Sequence, residues 1–296
     1  MISDYKVITS QKSKHNVITK LICNYIVITL FSIPAHALTF QSELTDGMLA
    51  YGSVDPDEAV LVEESYLNIG KNTEKLVPVP TTKDGRFAIG IPQDATQLKL
   101  TVKKGERDQE VSFPVQPRTW DEEYVTGLPP QKVEPNQKDS ERITAEALEM
   151  RQARQSSDYP NFPLTWQNPV PELKRISSHF GSRRILNNIK KQGHSGTDLA
   201  APVGTPIYAP AAGQVVYVNP DVFLTGQTVM IDHGFGIFSS YSHMSATHVK
   251  LNQTLRPGDL IGEVGQTGRA TGPHLHWTVT WFGIRVNPED LISPNP

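Results

Sequence analysis

Two histidines lie close together in a strand-like run near the C-terminus. Polar and apolar residues alternate over residues 274–281, so His274 and His276 would share one face of a strand while Leu275 and Trp277 face a core. Two imidazoles at this spacing, directly after a glycine-rich loop, are typical of a metal or catalytic site. A purely structural role for the pair stays open on these residues alone.

A second candidate group is formed by His194 and Asp198, which are spaced i, i+4. Nearby glycines and a proline argue against a helix, so we expect an extended segment after a loop. With an imidazole from a distant strand, these two residues would supply three ligands. Zinc takes such N and O ligands in a tetrahedron, and a catalytic zinc leaves its fourth position to a reactive water. The simpler alternative is a hydrogen-bonded surface pair.

Other kinds of site are excluded by what the sequence lacks. It has no His-Glu-x-x-His, no Gly-x-Ser-x-Gly and no Walker loop. Its single cysteine, Cys23, lies in the N-terminal apolar stretch, so a chain without that stretch has neither a cysteine nucleophile nor a disulfide. With 28 Lys and Arg against 31 Asp and Glu, and no basic block, nucleic acid is excluded as a partner.

Composition and patterning predict a mainly β protein with two domains. The content of 21 glycines and 23 prolines in 296 residues suits a turn-rich β fold. Residues 38–118 contain several short strand-like runs, such as 98–103, and are predicted to form a small N-terminal β-sandwich. Asp84-Gly85 predicts a hairpin between the runs 76–79 and 86–89. No reactive constellation lies here, so we expect a binding, positioning or shielding role.

The rest of the chain divides into a linker and a second domain. Residues 119–170 are predicted to be a linker with one helix at about 140–155, whose narrow apolar stripe would lean on a domain surface. Residues 171–296 contain strand-like runs and turns without a long helical period, which predicts a nearly all-β domain. Seven of the nine histidines lie beyond residue 178, in or next to this domain.

The N-terminus has the pattern of an export signal at residues 1–37. Lysines precede an apolar stretch at 21–33, and Ala35-His36-Ala37 gives the small-x-small pattern of a cleavage site. An uncleaved membrane anchor is the alternative. We therefore expect an exported protein, located in the periplasm or outside the cell.

Five ordered motifs carry a specific resemblance. They are Ser178-His179-Phe180-Gly181-Ser182-Arg183, His194-Ser195-Gly196-Thr197-Asp198, Met230-Ile231-Asp232-His233-Gly234, Tyr241-Ser242-His243-Met244-Ser245 and the run 265–276, which ends in His274-Leu275-His276. Together, over about residues 171–292, they resemble the lysostaphin-type zinc metallopeptidases that cut peptidoglycan cross-bridges. Met244 departs from the usual Leu. The preceding β-rich segment is similar to the N-terminal domain of some proteobacterial members.

The resemblance assigns roles that spacing alone leaves open. It implies an antiparallel β domain with an open groove, in which His194, Asp198 and His276 bind zinc. It further implies that His274 acts on the water or the developing oxyanion at the metal, and that His243 is a second catalytic histidine. Arg183 is a candidate to pair with a carboxylate of the stem peptide, although a structural salt bridge is an alternative.

The function implied by the resemblance is hydrolysis of peptide cross-links in bacterial peptidoglycan. Stem and cross-bridge peptides would be the partners, and the N-terminal domain would contact the catalytic groove if the enzyme is latent. A different class remains open, because relatives of this fold can lose the metal and act as regulators that activate cell-wall amidases. The bond that is cut is not determined by the sequence.

Overall fold

The structure is a computed structural model that describes residues 38–66, 75–155 and 159–292. The predicted export signal at 1–37 lies outside the described residues. Within these ranges, no helix combines the length and apolar character needed to span a membrane.

The first part of the described chain forms two antiparallel sheets. Their strands are β1 (Thr39–Phe40), β2 (Leu49–Ser53), β3 (Ala59–Glu63), β4 (Leu76–Pro78), β5 (Arg86–Gly90), β6 (Gln97–Lys104) and β7 (Arg107–Pro114). One sheet has the order β1-β2-β5 and the other β4-β3-β6-β7. In β6 the residues Leu98, Leu100 and Val102 are buried while most of their neighbours face solvent, which is the alternation that the sequence predicts.

The predicted pairing of the runs 76–79 and 86–89 is wrong, although the turn at Asp84-Gly85 brings Thr81 and Phe87 into one antiparallel bridge. The chain does turn there, with Thr82 N donating to Arg86 O at 2.8 Å, and Gly85 has a φ of +84°. The flanking strands then separate, because β4 pairs with β3 while β5 pairs with β2. Pro78 and Pro80 have no N–H to donate to a hairpin ladder, which favours the separation.

The segment between the two β regions carries more structure than the one predicted helix. It contains β8 (Glu122–Val125), α1 (Pro130–Val133) and α2 (Gln137–Ala153). Helix α2 begins slightly earlier than predicted, because Asn136 Oδ1 accepts from Asp139 N at 2.9 Å and caps it. Strand β8 was not predicted, and it pairs in parallel with residues 183–186 of the following region.

The last part of the chain is dominated by an eight-stranded sheet. Its elements are β9 (Arg175–Ser178), β10 (Arg183–Leu186), β11 (Ile189–Lys190), β12 (Thr197–Ala200), β13 (Pro206–Tyr208), β14 (Gly213–Val222), β15 (Gly226–Asp232), β16 (Ile237–Met244), β17 (Ala246–Thr247), β18 (Thr254–Leu255), β19 (Leu260–Glu263), β20 (His274–Trp281), β21 (Ile284–Val286) and α3 (Glu289–Ile292). The large sheet has the order β18-β14-β15-β16-β20-β12-β9, with β21 also paired to β20. The predicted mainly β fold class, with an antiparallel C-terminal sheet, is therefore confirmed.

Strand β20 joins the two β regions through its apolar face. Leu275, Trp277 and Trp281 are fully buried, as the alternation predicts, and belong to the same core as the residues of β2, β5 and β6. Gly90 of β5 lies against Trp281, since a Cβ added there would be 2.9 Å from Trp281 Cβ. The apolar face of β20 is thus held by the first β region, which leaves its polar face free for chemistry. The domain boundaries at 118 and 170 stay predictions.

Candidate metal centre

The register of three neighbouring strands brings the predicted site residues together. In the pairing of β12 with β20, Asp198 lies opposite His276 and Ala200 opposite His274. On the other side of β20, Ser242 of β16 lies opposite His276, one residue before His243. His194 comes from the loop before β12, and its backbone is fixed by Gly181 N donating to His194 O at 2.9 Å.

Three ligand atoms converge in a compact triangle. His194 Nε2 lies 3.0 Å from Asp198 Oδ1, and His276 Nδ1 lies 2.7 Å from the same oxygen. The two nitrogens are 3.0 Å apart. Atoms bound at about 2 Å from one tetrahedral zinc would lie about 3.3 Å from each other. The triangle therefore has the size of a three-ligand zinc site, and His194, Asp198 and His276 are all buried.

The hydrogen bonds around these ligands leave their lone pairs pointing inward. His194 Nδ1 lies 3.0 Å from the carbonyl oxygen of His179, which can only accept, so Nδ1 carries the proton and Nε2 is free. His276 Nε2 lies 3.0 Å from Thr278 Oγ1, which can accept a hydrogen bond from a protonated Nε2 and leave Nδ1 with its lone pair free. Two nitrogen lone pairs and a carboxylate oxygen facing each other are matched to a cation. The donor set thus fits zinc.

The protonation states also suit metal binding. Burial would raise the pKa of Asp198, but the neighbouring His194 and His276 hold it well below its usual range. Burial lowers the pKa of His276 to about 4, although the hydrogen bond to Asp198 opposes this shift. Near neutral pH the carboxyl is ionised and the His276 imidazole is neutral, as metal ligands must be.

His274 and His243 flank the triangle with a shared orientation. Each Nδ1 donates to a backbone carbonyl, at 2.8 Å to Gly272 O for His274 and at 2.7 Å to Thr267 O for His243. In the neutral imidazole each Nε2 therefore presents a lone pair that can accept a proton in the groove. His274 Nε2 lies 3.7 Å from Asp198 Oδ1. The ring centroids of His274 and His243 are 4.8 Å apart.

The backbone at His243 is strained. Its φ of +63° is unusual for a residue with a side chain, and such strain is common at functional sites. Burial, together with the charges of His274 and His276, lowers the pKa of His243 to about 3. The side chain is therefore held neutral beside the ligand triangle.

Arg183 and Arg184 occupy different places, and only Arg183 was predicted from the sequence to contact substrate. The Arg183 side chain is exposed and lines none of the cavities beside the triangle. Arg184 instead points inward, with Nη2 2.6 Å from Asp198 Oδ2 and Nε 3.1 Å from Glu123 Oε2. Alternation along β10 separates the two, and recognising that strand would have identified Arg184.

Glu123 and Ser178 are also absent from the sequence prediction. Ser178 Oγ donates to Glu123 Oε2 at 2.5 Å and lies 2.9 Å from His194 Nδ1. Glu123 reaches this position because β8 pairs with β10. No local signal connects a glutamate in a linker with a site 70 residues away, so only the tertiary structure shows the contact.

The remaining histidines lie outside the triangle. His233 is buried, with Nδ1 2.8 Å from Ala212 O and Nε2 2.7 Å from Ser239 Oγ. His179 Nδ1 lies 2.8 Å from Glu289 Oε2, and His248 Nε2 lies 3.1 Å from Glu263 Oε1. These four contacts hold turns and neighbouring strands together.

Two cavities open on either side of the triangle. The Glu123 arm, of about 400 Å³, is lined by Glu123, Asp198, His274 and the loop at 269–273, among others. The Lys191 arm, of about 390 Å³, is lined by Lys191, His194, Arg269, His276 and Arg285, among others. His243 and Arg184 border both arms. The triangle thus lies in the middle of an open groove suited to an extended chain.

The first β region also reaches this groove. Pro92 and Gln93 line a third cavity of about 470 Å³, together with Gln192, Gly193, His194 and Arg285. Gln93 Nε2 donates to Gly181 O at 3.2 Å. The connection between β5 and β6, residues 91–96, which we call the Gln93 loop, therefore forms the outer wall beyond the Lys191 arm.

Fold and site define a metallopeptidase-type chain, and comparison with known proteins agrees. Residues 192–288 match peptidase family M23. A crystal structure of a Pseudomonas aeruginosa chain assigned to peptidase M23 is 32% identical, with a TM-score of 0.63, and covers 85% of this chain and 96% of that one. The chain belongs to peptidase family M23, which confirms the resemblance drawn from the five motifs.

Named relatives match about two fifths of the chain. Peptidoglycan DD-endopeptidase ShyA of Vibrio cholerae is 42% identical over 120 residues, which are 40% of this chain and 28% of that protein. DD-carboxypeptidase/endopeptidase Mpg of Neisseria meningitidis is 42% identical over 124 residues, which are 41% of this chain and 28% of that protein. The match thus spans about a quarter of the length of these relatives.

Proposed function

We propose that this chain is a zinc-dependent endopeptidase that hydrolyses peptide cross-links of bacterial peptidoglycan. The observation that carries the proposal is the complete ligand triangle of His194, Asp198 and His276 in the middle of an open groove. Membership of peptidase family M23 supports it, as does the identity to relatives named peptidoglycan DD-endopeptidases.

Different residues of the chain would have different roles in this reaction. Zinc held by the triangle would supply an activated water and polarise a substrate carbonyl. His274 and His243 present an Nε2 lone pair to the groove, where each can take up a proton and, once it holds that proton, donate to an oxygen that develops negative charge. Arg184 orients Asp198 through its 2.6 Å contact. The groove on both sides positions an extended peptide.

Cleavage of cross-linked muropeptide dimers by the purified chain tests the proposal. We expect chelation to abolish turnover and added zinc to restore it, and His276→Ala to reduce turnover below detection because one of three ligands is lost. His248→Ala, an exposed histidine outside the triangle, is the matched control and should keep wild-type turnover. Mass spectrometry of the products would also name the bond that is cut. Full activity of His276→Ala would overturn the proposal.

The regulator alternative predicts a different result in the same assay. A folded, metal-free chain that stimulates a cell-wall amidase but cuts no muropeptide would favour it. The presence of all three ligands in one triangle favours the enzyme.

We further propose that the first β region restricts the groove. The Gln93 loop beside Gly193 and His194 supports this. Turnover should then rise when this loop is shortened, and equal rates for both forms would count against restriction.

For localisation we propose export to the periplasm, based on the signal-like pattern of residues 1–37. N-terminal sequencing of the protein recovered from the periplasm would test it, and recovery of the uncut chain in the cytoplasm would contradict it.

A further inference from the structure

The two arms of the groove differ in charge. The Glu123 arm is lined by three cations, Arg175, Arg184 and Arg269, and by two carboxylates, Glu123 and Asp198, which offset them. The Lys191 arm is lined by four cations, Arg184, Lys191, Arg269 and Arg285, and by no Asp or Glu among the described residues. Beyond it, the cavity at Gln93 shares Arg285 and likewise has no acidic lining residue in the described part of the chain. One side of the metal centre is therefore basic.

Most of these cations are not neutralised by the protein. Arg184 is paired with Asp198 and Glu123. Arg269 borders both arms, and within the described residues its Nη1 donates to a neutral group, the carbonyl oxygen of Lys132, at 3.3 Å. Lys191 and Arg285 are exposed, and within the described ranges their side chains have neither a hydrogen-bond nor an ion-pair partner. Three positive charges thus face one cavity without a counter-charge.

Neighbouring charges reinforce this field. Burial and the charge of Arg184 lower the pKa of Arg269. Burial and the charge of Arg285 lower the pKa of Arg154, which belongs to the end of α2. These arginines stay protonated at neutral pH, so they repel each other, and an anion bound among them would relieve that repulsion.

We propose that Lys191, Arg269 and Arg285 form a carboxylate-binding subsite that selects anionic peptides on the His194–His276 side of the metal centre. The proposal rests on the proposed function and extends it by naming the substrate feature that is recognised. Arginine binds carboxylate groups with paired, charge-assisted hydrogen bonds. The stem peptides of peptidoglycan carry free carboxylates next to their cross-links, so a cationic arm would set both the orientation and the choice of strand.

The test compares two substrates that differ only in charge. Cross-linked muropeptide dimers are assayed as isolated and after conversion of their free carboxylates to carboxamides, both with zinc-loaded wild-type chain. We expect wild-type kcat/KM to favour the carboxylate form by about tenfold or more, mainly through KM, since one charge-assisted contact accounts for about a factor of ten. The preference should weaken as salt is raised.

Variants assign the preference to this arm. In Lys191→Gln/Arg285→Gln, the ratio of kcat/KM between the two substrates should fall to about one, and its dependence on salt should flatten. The control Lys250→Gln/Arg256→Gln removes two exposed charges elsewhere and should keep the wild-type ratio. Equal zinc content and equal melting temperature of both variants would show that each is folded.

The possible results separate the two proposals. If wild type cuts neither substrate, the proposed function fails. If wild type cuts both substrates equally well, or if the double variant keeps the wild-type ratio, the endopeptidase stands and the carboxylate subsite is overturned.

Discussion

Arg184 lies between two carboxylates, only one of which is a candidate metal ligand. Its guanidinium contacts Asp198 Oδ2 at 2.6 Å and Glu123 Oε2 at 3.1 Å, while Asp198 Oδ1 faces the triangle. One oxygen of the carboxylate is thus held by the arginine and the other is directed at the metal position. Such supporting contacts orient a ligand and limit its freedom to rotate away.

Replacing Arg184 should weaken metal binding without removing a ligand. We expect Arg184→Gln to lower zinc affinity about 10- to 100-fold, because Asp198 loses its orienting partner and Glu123 is left beside it as a competing negative charge. Competition with a fluorescent chelator would measure the affinity. The neighbour Arg183→Gln, at an exposed position of the same strand, should bind zinc as wild type does. Identical affinities of the two variants would contradict the role given to Arg184.

His233 is a second residue whose environment has a measurable consequence. Burial lowers its pKa from 6.5 to about 4 in the folded chain. Between pH 6.5 and pH 4 the unfolded chain binds a proton at His233 that the folded chain does not. The contribution of His233 to the free energy of unfolding is therefore fully present above pH 6.5 and is lost as the pH falls towards 4. From pH 7.5 to pH 5 the free energy of unfolding should decrease by about 2 kcal/mol through His233.

Urea unfolding with chelator present would measure this slope. In His233→Gln the titrating group is absent, so the variant should lose less stability over the same pH range than the wild type does. It should also be less stable at pH 7.5, since its contacts with Ala212 and Ser239 are altered. An unchanged slope in the variant would show that His233 does not titrate as its burial implies.

At the scale of elements, the segment of β8, α1 and α2 is part of the groove and not a passive connection. Strand β8 extends the edge formed by β10 and β11 and carries Glu123 to the site. Residues 128–133, which include α1, contact two separate regions, because Asn187 Nδ2 donates to Leu128 O at 2.8 Å and Lys132 Nζ donates to Phe223 O at 2.5 Å. Helix α2 adds Met150 and Ala153 to the cluster around Met230 and Phe238.

A small apolar cluster anchors this segment. Leu128, Val133 and Leu186 are buried together, with Val125 and Ile189 packed against them. Leu128→Ala should lower the free energy of local unfolding of residues 122–133 by about 2–3 kcal/mol, because it leaves a cavity in a cluster with few other contacts. Faster hydrogen exchange of these residues, with the eight-stranded sheet unaffected, is the expected result. Leu148→Ala, 54% exposed on α2, is the control and should leave the exchange of 122–133 unchanged.

At the scale of the whole molecule, the two β regions share one core. Gly90 of β5 packs on β20 and β21 so closely that an added Cβ would lie 2.9 Å from Trp281 Cβ and 3.2 Å from Val286 Cγ1. The strand that bears His274 and His276 is therefore supported from behind by the first β region. A disturbance at this contact should reach the stability of the whole described unit.

Gly90→Ala tests this shared core. We expect the free energy of unfolding to fall by about 1–3 kcal/mol, because both neighbours are packed and Trp281 cannot move aside without displacing β20. Gly272→Ala is the matched control, since nothing lies within 4 Å of a Cβ added there and its stability should be that of wild type. Chemical denaturation followed by tryptophan fluorescence measures both. Equal stabilities would indicate that the two regions are not mechanically coupled at this contact.

Features that depend on local pattern could be predicted from the amino-acid sequence. The alternation along 274–281 predicted both the buried face with Trp277 and Trp281 and the polar face with two histidines, because side chains alternate along any strand. The motifs named His194, Asp198, His276, His243 and His274, and the structure places all five around one centre.

The other residues that surround this centre could be identified only from the tertiary structure. The register of β12 against β20 sets the ligand distances, and the parallel pairing of β8 with β10 brings Glu123 and Arg184 to Asp198. The separation of β4 and β5 into different sheets is of the same kind. Strand pairing depends on contacts between residues far apart in the chain, which local periodicity does not encode.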